Sequence, residues 1–306
     1  MRDEIIDKNQ FHKYCGPAVD IPIEEIGIND PRYPKRLATL TGAPSVLYCR
    51  GNINLMNGTC IAVVGTRMMT DYGAEATRVI TSDLARSGVI IVSGLALGVD
   101  AIAHRSALDV GGKTVAVLGS GVDDDMIGPR QNMPLARDIL AHDGLICSEY
   151  PPGTPADKWT FPARNRIVSG LSRGVVVTEA AIKSGALITA RLAAEQGRDV
   201  YAIPGSIFWP RSSGPHHLIQ NGAMAVTSAQ EILKDSDIES GDSVSLVSTR
   251  DPVQRNIVAI LDDGPAHVEK IIETSDLSAS EVMVALSHLE LTGLVTSLQN
   301  GYWRKS

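Results

Sequence analysis

From Cys60 onward, short apolar runs bounded by Gly or polar residues alternate with longer stretches in which apolar positions recur at helical spacing. The runs at 61–64, 89–92, 114–118, 145–147, 175–177 and 200–203 are short and almost continuously apolar, which predicts six buried strands. The Ala-rich amphipathic stretches at 72–87, 101–109, 134–142 and 185–196 predict helices between them. Strand and helix alternating in this way predict an α/β domain over 56–231, a parallel sheet with helices on both faces. Ligands of such sheets bind outside the carboxyl ends of the strands. There Gly, Ser and Arg collect: Gly65-Thr66-Arg67, Ser93-Gly94-Leu95, Gly119-Ser120-Gly121 and Pro204-Gly205-Ser206.

Residues 1–55 read as a lead-in segment, and 232–250 turn polar without apolar periodicity, which predicts a linker. Residues 251–306 form a second unit. Helical patterns at 252–261, 268–273 and 279–292 are followed by short apolar stretches at 294–296 and 302–304 around Asn300-Gly301, a hairpin signal. Three helices ending in a hairpin predict a small winged helix.

No stretch approaches the roughly 18 apolar residues of a membrane span, and Met1-Arg2-Asp3-Glu4 lacks the apolar region of a secretory signal, so a cytoplasmic protein is expected. Cys15, Cys49, Cys60 and Cys147 have neither CxxC spacing nor a nearby His cluster, which predicts neither a disulfide framework nor a metal site. A net charge of -7 excludes a protein that coats nucleic acid by bulk attraction. Any nucleic-acid site must be a local patch. From Pro151 to Pro215 eight Lys or Arg face four Asp or Glu, a local +4 that leaves -11 for the rest of the chain. The positive charge thus concentrates at the expected ligand end of the sheet.

Three stretches there carry chemistry. Gly65-Thr66-Arg67 ends the first core strand, where Gly permits close backbone approach and Arg67 adds a positive fork, a phosphate seat or simply a tight turn. The stretch from Lys158 to Ser172 sets Trp159 and Phe161 among Lys158, Arg164 and Arg166. Base stacking and phosphate neutralisation are the two interactions that hold single strands without reading sequence, although each arginine has acids such as Glu149 or Glu179 to pair with. After Glu179, Lys183-Ser184-Gly185 open a helix and form a second anion site. Glu179 has no Ser, Cys or His partner at catalytic spacing and is expected to orient a loop or an arginine; His104 reads as a structural hydrogen-bonder, and His216-His217 stays unassigned. The chain carries neither a G-x-G-x-x-G dinucleotide fingerprint nor a P-loop, so no cofactor is expected.

Taken together these stretches resemble the DprA/Smf family of DNA-processing proteins. The resemblance runs through Gly65-Thr66-Arg67, where the family has Gly-Ser-Arg; Ser93-Gly94-Leu95-Ala96 with Gly98-Val99-Asp100 and Ala103-His104; and Ser148-Glu149-Tyr150-Pro151. It continues in Phe161-Pro162-Ala163-Arg164-Asn165-Arg166, Glu179-Ala180, Ser184 to Ala190, Pro204-Gly205 and Gly222-Ala223. The family's Gly-Leu-Asp followed by Tyr-Pro is replaced by Gly121-Val122-Asp123 followed by Ile127-Gly128-Pro129. The resemblance implies a Rossmann-like domain that holds single-stranded DNA in a basic pocket, forms a homodimer and loads the recombinase RecA in natural transformation, without turnover. Carried onto this chain, the pocket is Gly65, Thr66, Arg67, Lys158, Phe161, Arg164 and Arg166. It also implies that the helical domain found before the sheet in some relatives is absent or reduced here. From 229 to 306 thirteen Asp or Glu face six Lys or Arg, so the winged helix is expected to serve a protein contact, a regulatory or a structural role rather than DNA.

Two other function classes use the same fold. A nucleotide-processing enzyme resembling the lysine-decarboxylase-like phosphoribohydrolases would carry a Pro-Gly-Gly-x-Gly-Thr-x-x-Glu signature, and Thr178-Glu179-Ala180-Ala181-Ile182-Lys183-Ser184-Gly185 lacks its double glycine. A small-nucleotide sensor would occupy the same pocket and release its mononucleotide to DNA.

Overall fold

A computed structural model describes residues 21–238, 251–262, 264–275, 277–291, 294–298 and 301–305. Cys15, residues 239–250 of the expected linker and Asn300 of the expected hairpin turn lie outside them. The chain divides into two compact units, 1–241 and 242–306.

The first unit runs β1 (Ile23–Gly27), α1 (Lys35–Ala38), β2 (Val46–Gly51), β3 (Cys60–Val64), α2 (Asp71–Arg86), β4 (Ile90–Ser93), α3 (Val99–Asp109), β5 (Thr114–Leu118), α4 (Met133–Ala141) and β6 (Leu145–Ser148). It continues through α5 (Thr160–Leu171), β7 (Gly174–Val177), α6 (Gly185–Glu195), β8 (Asp199–Ala202), α7 (Ser213–Gln220), β9 (Met224–Ala225) and α8 (Ala229–Asp235). Nine strands form one sheet in the order β1-β2-β6-β5-β4-β3-β7-β8-β9, parallel from β6 to β9, with β2 antiparallel to both β1 and β6. The expected six strands are its centre.

The period of two along each strand sorts its side chains between two faces. Cys60, Ala62 and Val64 of β3 pack with Ile167, Val168 and Leu171 of α5 and with Ala186, Ala190 and Ala193 of α6. Ile61 and Val63 face Ile80 and Leu84 of α2 and Val99, Ala103 and Ala107 of α3. Under α4, Leu135, Ala136 and Ile139 pack on Ala116, Leu118 and Ile146, and the same cluster takes in Val122 and Ile127 from the loop that departs from the family's Gly-Leu-Asp pattern. Helices α2 to α4 therefore cover one face and α5 and α6 the other. The winding reverses between β3 and β7, and that reversal opens the crevice at their carboxyl ends.

The sequence reading of this unit shifts at both ends. The lead-in supplies β1 and β2, whose Ile26, Leu47 and Cys49 are buried in the core. The expected linker begins with α8, because Ile232 and Leu233 bury against Val226 and Ala229. Cys49, Cys60 and Cys147 are free, buried thiols, and burial pushes Cys49 and Cys60 up to about 12.

The second unit consists of α9 (Pro252–Asp262), β10 (Ala266–His267), α10 (Val268–Ser275), α11 (Ala279–Leu291), β11 (Val295–Ser297) and β12 (Tyr302–Lys305), with its sheet in the order β10-β12-β11. Ser278 and Glu281 form a capping box ahead of α11: the Ser278 hydroxyl accepts from the Glu281 N–H at 3.3 Å and the Glu281 carboxylate accepts from the Ser278 N–H at 2.9 Å. Ile257, Leu261, Ile271, Leu286 and Trp303 form the core of the expected winged helix.

Candidate nucleic-acid interface

The crevice is built around the turn that leaves β3. The Thr66 N–H donates to the Glu179 carbonyl at 2.7 Å across the point where the winding reverses, and the Thr66 carbonyl accepts from the Val99 N–H at 3.2 Å. Gly98 lies so close that a Cβ there would stand 2.3 Å from the Thr66 carbonyl oxygen, and its φ of +81° is one that residues with a side chain rarely adopt. Thr70 caps α2 by accepting from the Gly73 N–H at 3.2 Å. Glu179 is 1% exposed, and both its oxygens accept from Thr70, Oε2 from the backbone N–H at 2.8 Å and Oε1 from the hydroxyl at 2.6 Å. This carboxylate holds the 65–70 loop in place, as its lack of a catalytic partner in the sequence suggested. Arg67 remains exposed, with its guanidinium carbon 5.4 Å from the centroid of the Phe161 ring.

Phe161 comes from the first turn of α5, a helix that the periodicity reading left unassigned. Phe161, Arg164 and Asn165 share one side of that helix by their three- and four-residue spacing. Arg164 is only 5% exposed. Its Nη1 donates to the Val117 carbonyl, its Nε donates to Asn165 Oδ1 at 3.2 Å, and its guanidinium occupies the space beside Gly94 that any Cβ would need. Asp100 is the acid that offsets it, and Asp100 in turn accepts from the Gly94 and Ala96 N–H groups at 3.1 and 3.4 Å. Burial disfavours both charges, lowering the Arg164 pKa and raising that of Asp100, and each charge opposes the shift of the other.

Arg166, two residues on, points elsewhere. Its Nη1 and Nη2 donate to the two oxygens of Glu149, each at 2.7 Å, while Nε donates to the Gly42 carbonyl at 3.1 Å.

The loop after β4 is clamped from below. Leu95 sits at φ +56°. Asn132 Nδ2 donates to the carbonyls of Leu95 and Ala96 at 2.9 and 3.0 Å. Thr114 Oγ1 donates to the Ile91 carbonyl at 2.7 Å and therefore accepts from His104 Nδ1 at 2.7 Å, leaving His104 Nε2 to accept from the Leu95 N–H at 3.3 Å. Burial, aided by the Arg164 charge, pushes His104 down to about 3, so it works as a neutral structural ring.

The ten residues singled out in the sequence thus fall into two groups. Arg67, Lys158 and Lys183 are exposed and, among the described residues, pair with no acid; Phe161 lies beneath Arg67. Gly65 and Thr66 shape the turn. Ser184 caps α6 by accepting from the Ala186 N–H at 3.3 Å, and Asn165 Nδ2 donates to the exposed Gly185 carbonyl at 3.4 Å, tying α5 to the start of α6. Arg164 and Arg166, by contrast, are occupied within the protein. The clamp residues Thr70 and Asn132 escaped the sequence reading, and Asn165, named there only within the Phe161-to-Arg166 motif, was given no role, although its four-residue spacing from Phe161 was legible. Trp159 is exposed and meets Tyr150 edge-on at 5.8 Å.

Known proteins share this architecture. Residues 24–237 match the DNA recombination-mediator protein A family and residues 244–301 the DprA winged helix domain. The Escherichia coli protein Smf is 39% identical over 284 residues, covering 89% of this chain and 75% of Smf. The crystal structure of Streptococcus pneumoniae DNA processing protein A is 44% identical, with a TM-score of 0.66 over 74% of this chain and 76% of that one. A solved structure of Helicobacter pylori DNA processing protein A, described for its mode of binding single-stranded DNA, is 32% identical, with a TM-score of 0.63 over 71% of this chain and 96% of that one. The chain belongs to the DprA/Smf family of DNA-processing proteins and carries both the family's Rossmann-like domain and its winged helix.

Proposed function

We propose that this chain is a cytoplasmic single-stranded-DNA-binding protein that holds the strand at the β3–β7 crevice and passes it to the RecA recombinase, acting as a homodimer and without turnover. The observation that carries this reading is the exposed Arg67 guanidinium lying over Phe161, with Lys158 and Lys183 also free of acid partners among the described residues. A base stacked on an aromatic ring and phosphates met by free cations require these groups together. Gly65, Thr66, Ser184 and Gly185 let the backbone approach the strand, and Arg164 and Arg166 contribute by fixing the loops on either side. Binding without turnover accords with Glu179 and His104, the groups nearest to general bases, both being buried and fully engaged in loop contacts. The RecA and homodimer parts of the reading rest on the family.

The test is binding of a fluorescent oligo-dT and the matching duplex across a salt series. The wild type prefers the single strand. Arg67→Ala flattens the salt slope by roughly 0.7, one phosphate contact on a single strand. Phe161→Ala weakens binding by about 1–3 kcal/mol. Failure of the wild type to bind either DNA at low salt overturns the proposal and brings a small-nucleotide ligand forward. Light scattering of the protein alone, and RecA filament assembly on DNA coated with a single-strand-binding protein, check the other two parts.

A further inference from the structure

The loop that leaves β8 carries Ile207, Phe208 and Trp209 in succession, and Phe208 is 85% exposed and Trp209 43%. A run of large apolar side chains held in solvent is costly unless something covers it. Four contacts fix where the loop lies. The Tyr72 hydroxyl donates to the Pro204 carbonyl at 2.5 Å, and its ring meets Trp209 edge-on at 6.0 Å, the two side chains flanking an open cavity beside Gly205 and Ser206. The Ala180 N–H donates to the Arg211 carbonyl, and the Gly214 N–H to the Ala180 carbonyl, both at 2.8 Å. The loop is therefore anchored to the first turn of α2 and to the residue after Glu179, the same two segments that hold the Arg67 turn. β3 and β8 are two strand spacings apart, so the loop begins roughly 10 Å from that turn.

Charge indicates what covers it. From Ile203 to His217 the chain has Arg211 and no acid. Arg211 and Lys183 pair with no acid among the described residues, and Glu179, the residue before the Ala180 that holds the Arg211 carbonyl, is spent on Thr70. Exposed aromatics and a free cation on a loop with no acid of its own suit a polyanion with flat apolar faces.

We infer that Phe208 and Trp209 form a second stacking shelf that extends the single-stranded-DNA path from the crevice over α2 to the β8 loop, where Arg211 and Lys183 meet the phosphates. This rests on the single-strand reading above and adds to it a longer footprint than the crevice alone provides.

The experiment is a length ladder of oligo-dT, from about 5 to about 20 nucleotides, spanning the site sizes common for single-strand folds. The full chain is compared with Phe208→Ala, Phe208→Tyr, Phe208→Leu and Arg67→Ala. Phe208 is so exposed that none of its substitutions threatens the fold. In Phe208→Ala the shortest oligonucleotides that bind keep their affinity within about two-fold, and the longest lose about five-fold or more, the effect of one stacked base. Tyr at 208 restores the long-strand affinity and Leu does not. If Phe208→Ala binds every length like the wild type while Arg67→Ala weakens all of them, the crevice stands and the shelf is overturned. If Leu restores affinity as well as Tyr, the contact is not stacking, and the shelf is overturned in favour of an apolar surface for a protein. If the wild type binds no length, the single-strand reading itself fails and the shelf falls with it.

Discussion

Arg166 grips Glu149 with both ends of its guanidinium, each nitrogen-to-oxygen distance being 2.7 Å, and both side chains are less than a third exposed. A cation held so firmly has little left for a phosphate. Arg166→Ala is expected to lower stability by about 1–3 kcal/mol in urea titration, by leaving Glu149 short of partners. The salt slope of oligo-dT binding should stay unchanged. Glu149→Gln frees the guanidinium and should raise affinity and steepen the slope by up to roughly 0.7. A slope that flattens in Arg166→Ala as in Arg67→Ala would instead mean that Arg166 exchanges Glu149 for the strand.

Arg164 presents the opposite extreme, a buried cation whose contacts are a carbonyl, an amide oxygen and the field of Asp100. Arg164→Met keeps much of the volume and removes the charge, leaving the Val117 carbonyl and Asp100 without it. A loss of about 3–5 kcal/mol is expected, the cost of breaking a buried charge pair from one side. Pairing it with Asp100→Asn should recover part of that loss, and a double-mutant cycle in urea reads the coupling. A single-variant cost below about 1 kcal/mol would show that the Gly94 loop does not depend on this arginine.

The sequence revealed the centre of the fold more readily than its margins. β3 to β8 are almost continuously apolar because helices cover both faces, and such runs stand out without tertiary information. β1, with two glutamates among its five residues, and β9, two residues long, offer no such run. The aromatic and basic stretch was legible as a site, but its helix was not, since Pro162, Gly170 and three polar residues in succession blur the periodicity. Once α5 is known, the contrast between Arg164 and Arg166 follows: two residues apart on a helix, they cannot share a face. Which one is buried depends on Gly94 and Glu149, and only the fold brings those residues near.

His104 gives the molecule an acid-sensitive element. Its ordinary pKa of 6.5 falls to about 3 in the fold, so the unfolded chain takes up a proton over a pH range in which the folded protein does not. The stability tied to the neutral ring is complete above about pH 6.5 and drains away as pH falls toward about 3, with a limiting slope of about 1.4 kcal/mol per pH unit. Urea midpoints of the wild type and His104→Gln across this range isolate the effect from Asp100 and other carboxylates. The variant is less stable at pH 7 by about 1–3 kcal/mol, having lost the fitted Leu95 and Thr114 contacts, and its pH dependence is shallower. Parallel curves would mean that the ring takes up its proton alike in the folded and the unfolded chain.

The winged helix supplies a last and simpler discrimination. Residues 242–306 carry nine acids against five Lys or Arg, whereas 151–215 carry a surplus of four cations, so a polyanion is repelled by one region and attracted by the other. Because the units are separately compact, ending the chain at Gly241 leaves the sheet, the crevice and α8 intact. The shortened protein is expected to bind oligo-dT within about two-fold of the full chain, or more tightly at low salt, where the acidic unit's repulsion is least screened. The separate 242–306 fragment should bind neither single strand nor duplex. A ten-fold loss on shortening would assign part of the DNA contact to the winged helix despite its charge, and would direct attention to Arg255, Lys270, Arg304 and Lys305 as its source.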